Sequence, residues 1–258
     1  MDELVPILQR LDGRTIRVWP VADVHIGSAQ ADVDGFRGFL SKIAQDPDSY
    51  IILCGDLMDN STRDSIANVY DATIPPAAQI DMCCELLYPT RDRILGAVGG
   101  NHEARTIKQV GIDPTAQLMT MLGIPELYRR GIAFMRVVLE RNRDDSWNGV
   151  RDSYALMFAH GRSDARRRRF QYAVEGVDAI ITAHTHDPSV QRPARLVFTG
   201  KNNVVVRPLV SIVATSWLRY GGYAADALML PNATSCPQCL TLEYTGSNNR
   251  RGSIRVAW

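Results

Sequence analysis

Apolar positions recur along this chain in two rhythms, one suited to strands and one to helices. Residues 15–24 (TIRVWPVADV) alternate and are rich in β-branched and aromatic side chains, which predicts a strand ending at Asp23. Pro20 within it predicts either an edge position or a strand breaking up towards a loop. Residues 32–44 place Val33, Phe36, Phe39, Leu40 and Ile43 at helical spacing. Residues 50–54 (YIILC) are wholly apolar, as in a strand covered on both faces, and residues 93–98 (RILGAV) form a third such run. Helices are predicted over 62–70, over 76–88 behind Pro75-Pro76, and in patterns reaching Leu122 with Pro114 at a start. Residues 1–12 read as a short amphipathic lead-in.

The second half is richer in strands. Residues 132–140 and 153–159 alternate or run apolar on either side of a polar, turn-rich stretch, 141–149. A helix fits 166–175, and 177–183 returns to an apolar strand pattern. Three or four more strands are expected from Arg195 onward, including 203–214 and 240–244. The expected fold is α/β, with two mixed β-sheets packed as a sandwich and flanked by helices. We expect a single domain over 1–258, with the chemistry in about 15–187 and strands from about 195–258 completing the second sheet.

Composition narrows the function classes. A chain of 258 residues, 45% hydrophobic and 22% charged, is that of an ordinary globular protein. A net charge of +1 gives no global attraction to nucleic acid or an anionic membrane, so such a partner would need a local patch. Five cysteines, an odd number, argue against a disulfide framework. The acidic start Met-Asp-Glu-Leu-Val-Pro lacks the order of a signal peptide, and no apolar run approaches a membrane span. The expected location is cytoplasmic.

Chemistry-bearing residues collect where strands should end: Asp23 and His25, Asp56, Asn101 and His102, His160, and His184 and His186. In open α/β sheets, sites form beyond the carboxyl ends of strands. All five histidines of the chain fall in this set. The donors are oxygen and nitrogen without thiolate, which suits Mn, Fe, Zn, Ni or Co, and they are too many for one ion.

The order Asp23-x-His25, Gly55-Asp56, Gly100-Asn101-His102-Glu103, His160-Gly161 and Ala183-His184-Thr185-His186 resembles the calcineurin-like metallophosphoesterases from about residue 16 to 187. The resemblance implies one metal held by Asp23, His25, Asp56 and His186, and a second held by Asp56, Asn101, His160 and His184. Asp56 would bridge the two transition-metal ions, divalent or trivalent, with manganese favoured. His102 would stabilise or protonate the leaving oxygen, and Asp59 and Glu103 would orient the ligands. Two cations so placed clamp a phosphate and lower the pKa of the water that attacks it, so a metal-bridging hydroxide is the implied nucleophile. The family has glycine where Ala183 stands, so the backbone there must tolerate a Cβ.

Three features lie outside that pattern. Arg166 to Arg169, with Arg162 before them, read either as a solvated helix face or as a basic patch for a nucleic-acid or nucleotide phosphate. Arg162, nearest His160, is the residue expected to contact substrate together with Asn101 and His102. Cys236-x-x-Cys239 is read as a turn between strands rather than a zinc site. Trp217, Tyr220 and Tyr223 are read as packing over the core rather than stacking on substrate. The expected function is a dinuclear phosphodiesterase acting on DNA, RNA or nucleotides. A phosphomonoesterase is the first alternative, and a catalytically silent metal-binding interaction subunit the second.

Overall fold

A computed structural model describes residues 4–62, 72–140, 151–163, 170–171, 173–222, 225, 237–245 and 254–257. The chain runs through β1 (Ile7–Asp12), β2 (Thr15–Val21), helix α1 (Val33–Gln45) and β3 (Ser49–Cys54). Helix α2 (Pro76–Leu87), β4 (Ile94–Val98), helices α3 (Glu103–Val110) and α4 (Pro114–Met121), and the short β5 (Tyr128–Arg129) follow. Next come β6 (Ile132–Glu140), β7 (Arg151–Ala159), β8 (Ala179–Thr182), β9 (Ser189–Gln191), β10 (Ala194–Phe198) and β11 (Val204–Pro208). The last strands are β12 (Val210–Val213), β13 (Cys239–Glu243) and β14 (Ile254–Ala257).

These strands build two six-stranded mixed sheets, ordered β1-β6-β7-β8-β12-β9 and β14-β13-β2-β3-β4-β5, while β10 and β11, among the described residues, pair with each other alone. The main core lies between the sheets. It joins Ile16, Val18, Ile52 and Leu95 of one sheet to Met135, Leu156, Phe158 and Ile181 of the other. On β3 the alternate residues Ile51 and Leu53 instead face α1, α2 and α4, among Phe36, Leu40, Ile80 and Leu118. Both faces of β3 are therefore covered, which is why its sequence is apolar without alternation. Helix starts follow local chemistry. The Asp32 carboxylate accepts from Gly35 N–H at the start of α1, and Asp113 accepts from Ala116 N–H beside Pro114 at the start of α4.

Several expectations are corrected. The lead-in over 1–12 contains β1, an edge strand running parallel to β6. The run 203–214 is two strands: exposed β11 turns at buried Leu209 into β12, which pairs with β8 inside a sheet. The C-terminal strands thus divide between a hairpin and both sheets instead of completing one. Pro20 sits in an internal strand, but β13 pairs only with Thr15 to Val18 of β2, so proline lies beyond that partner's reach. The helix expected over 62–70 lies, beyond Thr62, outside the described residues, as do the stretch 141–149 and, within 166–175, residues 166–169 and 172, while 170, 171 and 173 are helical.

Candidate metal centre

Strands β2, β3 and β4 run parallel in one sheet, and β7 and β8 run parallel in the other, so each set delivers its following loops to one edge. Those loops bring together all seven residues expected as metal ligands. The loops do not simply extend the strands. Asp23, His25, Asp56, His184 and His186 each have a positive φ, between 50° and 78°. Residues with a Cβ rarely adopt that backbone, and here it turns the side chains inward at a cost carried by the surrounding fold. Backbone links hold the turns: His25 N–H donates to Asp56 O at 3.1 Å, and Ala183 N–H to His160 O at 2.9 Å.

Besides the trio His25, Asp56 and His102, whose donor atoms also lie within 4.8 Å of one another, two groups form around buried carboxylates among the described residues. Asp23, His25 and His186 make one: His186 Nε2 is 3.2 Å from Asp23 Oδ1 and 3.4 Å from His25 Nε2. Asp56, His160 and His184 make the other. His160 Nε2 is 3.1 Å from Asp56 Oδ2 and 2.9 Å from Asn101 Oδ1. His25 Nε2 lies 4.0 Å from Asp56 Oδ2, so Asp56 stands between the groups.

The residues fit a cation. His160 Nδ1 is 2.9 Å from the Cys54 carbonyl and must carry a hydrogen to bond it. That leaves the Nε2 lone pair facing two acceptor oxygens, which only a proton or a metal reconciles. In the ion-free protein a proton does so: against the effect of burial, Asp56 raises the His160 pKa to about 10. Asp23 and Asp56 are buried, which opposes ionisation, yet the facing imidazoles hold both well below the usual carboxylate range. Ionised oxygens and imidazole nitrogens without thiolate are the donor set of a divalent transition metal.

The supports are equally specific. Buried Glu103 accepts from the backbone N–H groups of Asp56 (3.1 Å), Met58 (3.1 Å) and Gly100 (2.9 Å), tying the ends of β3 and β4. Burial, and then the Asp56 charge, raise its pKa to about 7. The second oxygen of each central carboxylate is fixed by backbone: His184 N–H donates to Asp23 Oδ2 and His102 N–H to Asp56 Oδ1. Asp59 stands 3.8 Å from both His25 Nδ1 and His102 Nδ1, and its carboxylate accepts from Ser61.

His102 has its ring beside His25, with Nδ1 2.6 Å from the Asp59 carbonyl and Nε2 3.8 Å from Asp56 Oδ2. Burial and then His25 lower its pKa to about 4, so the ring is neutral at pH 7. Arg162 is exposed and lines, with Asn101, His160, Arg130, Ile107 and Phe170, a cleft of 1030 Å³ beside the second group. Arg166 to Arg169 lie outside the described residues. Ala183 is buried in the core and has no positive φ, so its methyl is accommodated.

Sequence reasoning missed three residues. Buried Asn60 donates to His102 O at 2.7 Å, and its own N–H donates to buried Gln79 at 2.8 Å. Arg105 Nη2 lies 3.1 Å from His102 Nε2. Arg105 was open to detection, because it stands three residues after His102 on the helical run that follows it. The other expectations resolve plainly. Trp217 is buried against Phe36 and Phe39, both at 5.2 Å, and its backbone N–H donates to Asp23 O. Tyr220 is exposed, and Tyr223 lies outside the described residues. Cys239 is buried at the start of β13 and Cys236 lies outside the description; no cysteine joins a potential metal cluster among the described residues. No helix among them is long and apolar enough to cross a membrane.

The family model described as calcineurin-like phosphoesterase matches residues 16–188. Curated proteins give no match. Among solved structures, the chain is similar to a metallophosphoesterase from Sphaerobacter thermophilus, at 14% identity and TM-score 0.39, covering 90% of this chain and 85% of that one. It is also similar to a conserved uncharacterized protein of Streptococcus pneumoniae TIGR4 described as a predicted phosphoesterase. There the identity is 12% and the TM-score 0.38, over 89% of this chain and 84% of that one.

Proposed function

We propose that this chain, which belongs to the calcineurin-like phosphoesterase family, is a dinuclear metal-dependent phosphodiesterase acting on a nucleic-acid or nucleotide phosphate. In this reading Asp23, His25, Asp56 and His186 hold one ion, preferably manganese. Asp56, Asn101, His160 and His184 hold the other. Bound there, the ions polarise the phosphoryl group and acidify the attacking water.

The protein's own groups do the rest. Glu103 holds the ends of β3 and β4 in register, so Asp56 is presented at a fixed angle to both groups. His102 commits its Nδ1–H to the Asp59 carbonyl, so Nε2 is the ring atom left to face a leaving oxygen, and it donates there only when it carries the ring's second proton. Arg105 beside it places permanent positive charge where an alkoxide would form.

The cleft beside Asn101 and His160 carries the choice of a diester. A monoester ends at its terminal oxygens, whereas a diester needs room and partners for a second substituent. Arg130 and Arg162 offer charge for a neighbouring phosphate there, and Ile107 and Phe170 offer apolar walls for a base. Hydrolysis of bis-p-nitrophenyl phosphate and of p-nitrophenyl phosphate, compared with added manganese, tests the reading. Higher kcat/KM on the diester is expected. Preference for the monoester would make the chain a phosphatase, and absence of both activities with metal bound would leave an interaction subunit.

A further inference from the structure

The β10–β11 hairpin stands apart from both large sheets and has two unlike faces. Its cross-strand pairs Ala194–Pro208, Leu196–Val206 and Phe198–Val204 share one face, and all six residues are exposed and apolar. The pairs Arg195–Arg207 and Val197–Val205 share the other face and are only half-buried. The Arg195 guanidinium donates to the carbonyls of Gln171 and Val174, and Leu209 N–H donates to Pro193 O across the hairpin base. The arginine face is therefore held against the body, and the apolar face turns outward.

Alternation of this kind in a two-stranded ribbon makes a face that something should cover. Leu196, Phe198, Val204 and Val206 are 77, 71, 59 and 66% exposed. Together they leave on the order of 500 Å² of apolar side chain in water, at the upper end of what a soluble monomer shows. The six positions include no charge and no side-chain hydrogen-bonding group, so nothing on this face recognises a phosphate or an acidic peptide. The same property makes the face complementary to itself.

We infer that this hairpin face is the interface of a homodimer, with a second copy of the chain stacking its Leu196, Phe198, Val204 and Val206 on the same four residues across a two-fold axis. Two such faces bring up to roughly 1,000 Å² out of water, the floor for a biological interface and the size of a weak, reversible one. A net charge of +1 sets up little repulsion between copies. The contact is isologous and closes on itself, so it yields dimers and not filaments. The inference stands independently of the substrate reading, because none of these residues belongs to the metal centre.

Sedimentation velocity of the full chain at tens of micromolar tests it. The wild type is expected to sediment as a dimer. The double variant Leu196→Lys/Val206→Lys is expected to be monomeric, with a dissociation constant raised at least a hundredfold, an unchanged circular dichroism spectrum and unchanged diester hydrolysis. Should that variant fail to fold, Leu196→Cys treated with a short bismaleimide is expected to give a cross-linked dimer, and Lys201→Cys at the hairpin tip a much lower yield. A wild-type monomer at these concentrations overturns the inference, and so does a dimer that survives the double variant or the absence of a Leu196→Cys cross-link. A monomer that pellets with phosphatidylcholine vesicles also overturns it, by assigning the face to lipid.

Discussion

The backbone of Gly100 presses against the Asp56 carboxylate so closely that a Cβ built on Gly100 would lie 2.0 Å from Asp56 Oδ1. Asp56 is the carboxylate within reach of both His25 and His160, and a Cβ at Gly100 would push it aside. Gly100→Ala is expected to displace Asp56, lower metal affinity about 10–100-fold and cost about 1–3 kcal/mol of stability through overpacking. Metal content after dialysis, with thermal unfolding of the ion-free protein, measures both. A Gly100→Ala protein that retains its metal would show that the carboxylate is free to move.

Asp56 and His102 should part company when each is replaced. Asp56 reaches both donor groups, so Asp56→Asn is expected to lose metal as well as turnover. His102 belongs to neither group in the proposed assignment, so His102→Asn is expected to keep metal and lose about 10²–10⁴-fold in kcat. Elemental analysis beside steady-state kinetics separates the two. A fully loaded Asp56→Asn would remove the bridging role.

Glu103 acts through the backbone. Its oxygens accept from Asp56, Met58 and Gly100 N–H groups, and Gln would offer one of those donors an amide N–H instead of an acceptor. An unsatisfied buried N–H costs about 1–3 kcal/mol. Glu103→Gln is therefore expected to melt several degrees lower and to bind metal more weakly. An unchanged melting temperature would mean that the loop relaxes without cost.

Much of this was legible in the sequence, for identifiable reasons. The two-sided burial of residues 50–54 and the full run of β6 follow from apolar patterning, and the candidate metal-centre residues stand at strand ends with glycines beside them. The positive φ values of Asp23, His25, Asp56, His184 and His186 were not legible, because Asp and His do not announce left-handed backbone as glycine does. Asn60 and Gln79 were equally hidden, since their importance comes from one hydrogen bond between segments 19 residues apart. The split of 203–214 was missed because an exposed apolar ribbon and a buried strand have the same composition. Only the turn at Leu209 distinguishes them.

Acid stability should depend on a pair remote from the candidate metal centre. The Arg17 guanidinium donates to Asp46 at 2.6 and 2.8 Å, and Asp46 also accepts from Ser49, which fastens the end of α1 to the start of β3. Chiefly through Arg17, the Asp46 pKa is lowered to about 2. A carboxylate held below its unfolded pKa of ~3.9 contributes stability above that value and loses it as pH falls from ~4 through ~2. Both side chains are about one-third exposed, so solvent screening keeps the contribution near or below ~1 kcal/mol. Asp46→Asn is expected to melt a few degrees low at pH 7, and the deficit should vanish near pH 2. A deficit independent of pH would point to packing instead of charge.

Arg105 and Arg162 are both close to the metal centre, but at different parts of it. Arg105 lies against His102 Nε2, where a leaving oxygen would develop charge. Arg162 is exposed on the cleft beside His160, where a ground-state substituent would rest. A contact made in both ground and transition states sets KM, whereas one that strengthens as charge develops sets kcat. Arg162→Ala is therefore expected to raise KM for a diester about tenfold with kcat retained. Arg105→Ala is expected to lower kcat about 10²-fold, and Arg105→Lys to recover only part, since an ammonium keeps the charge but not the planar fork. Steady-state kinetics on bis-p-nitrophenyl phosphate distinguishes these outcomes. If Arg105→Ala altered KM alone, its guanidinium would be holding bound substrate and not the departing oxygen.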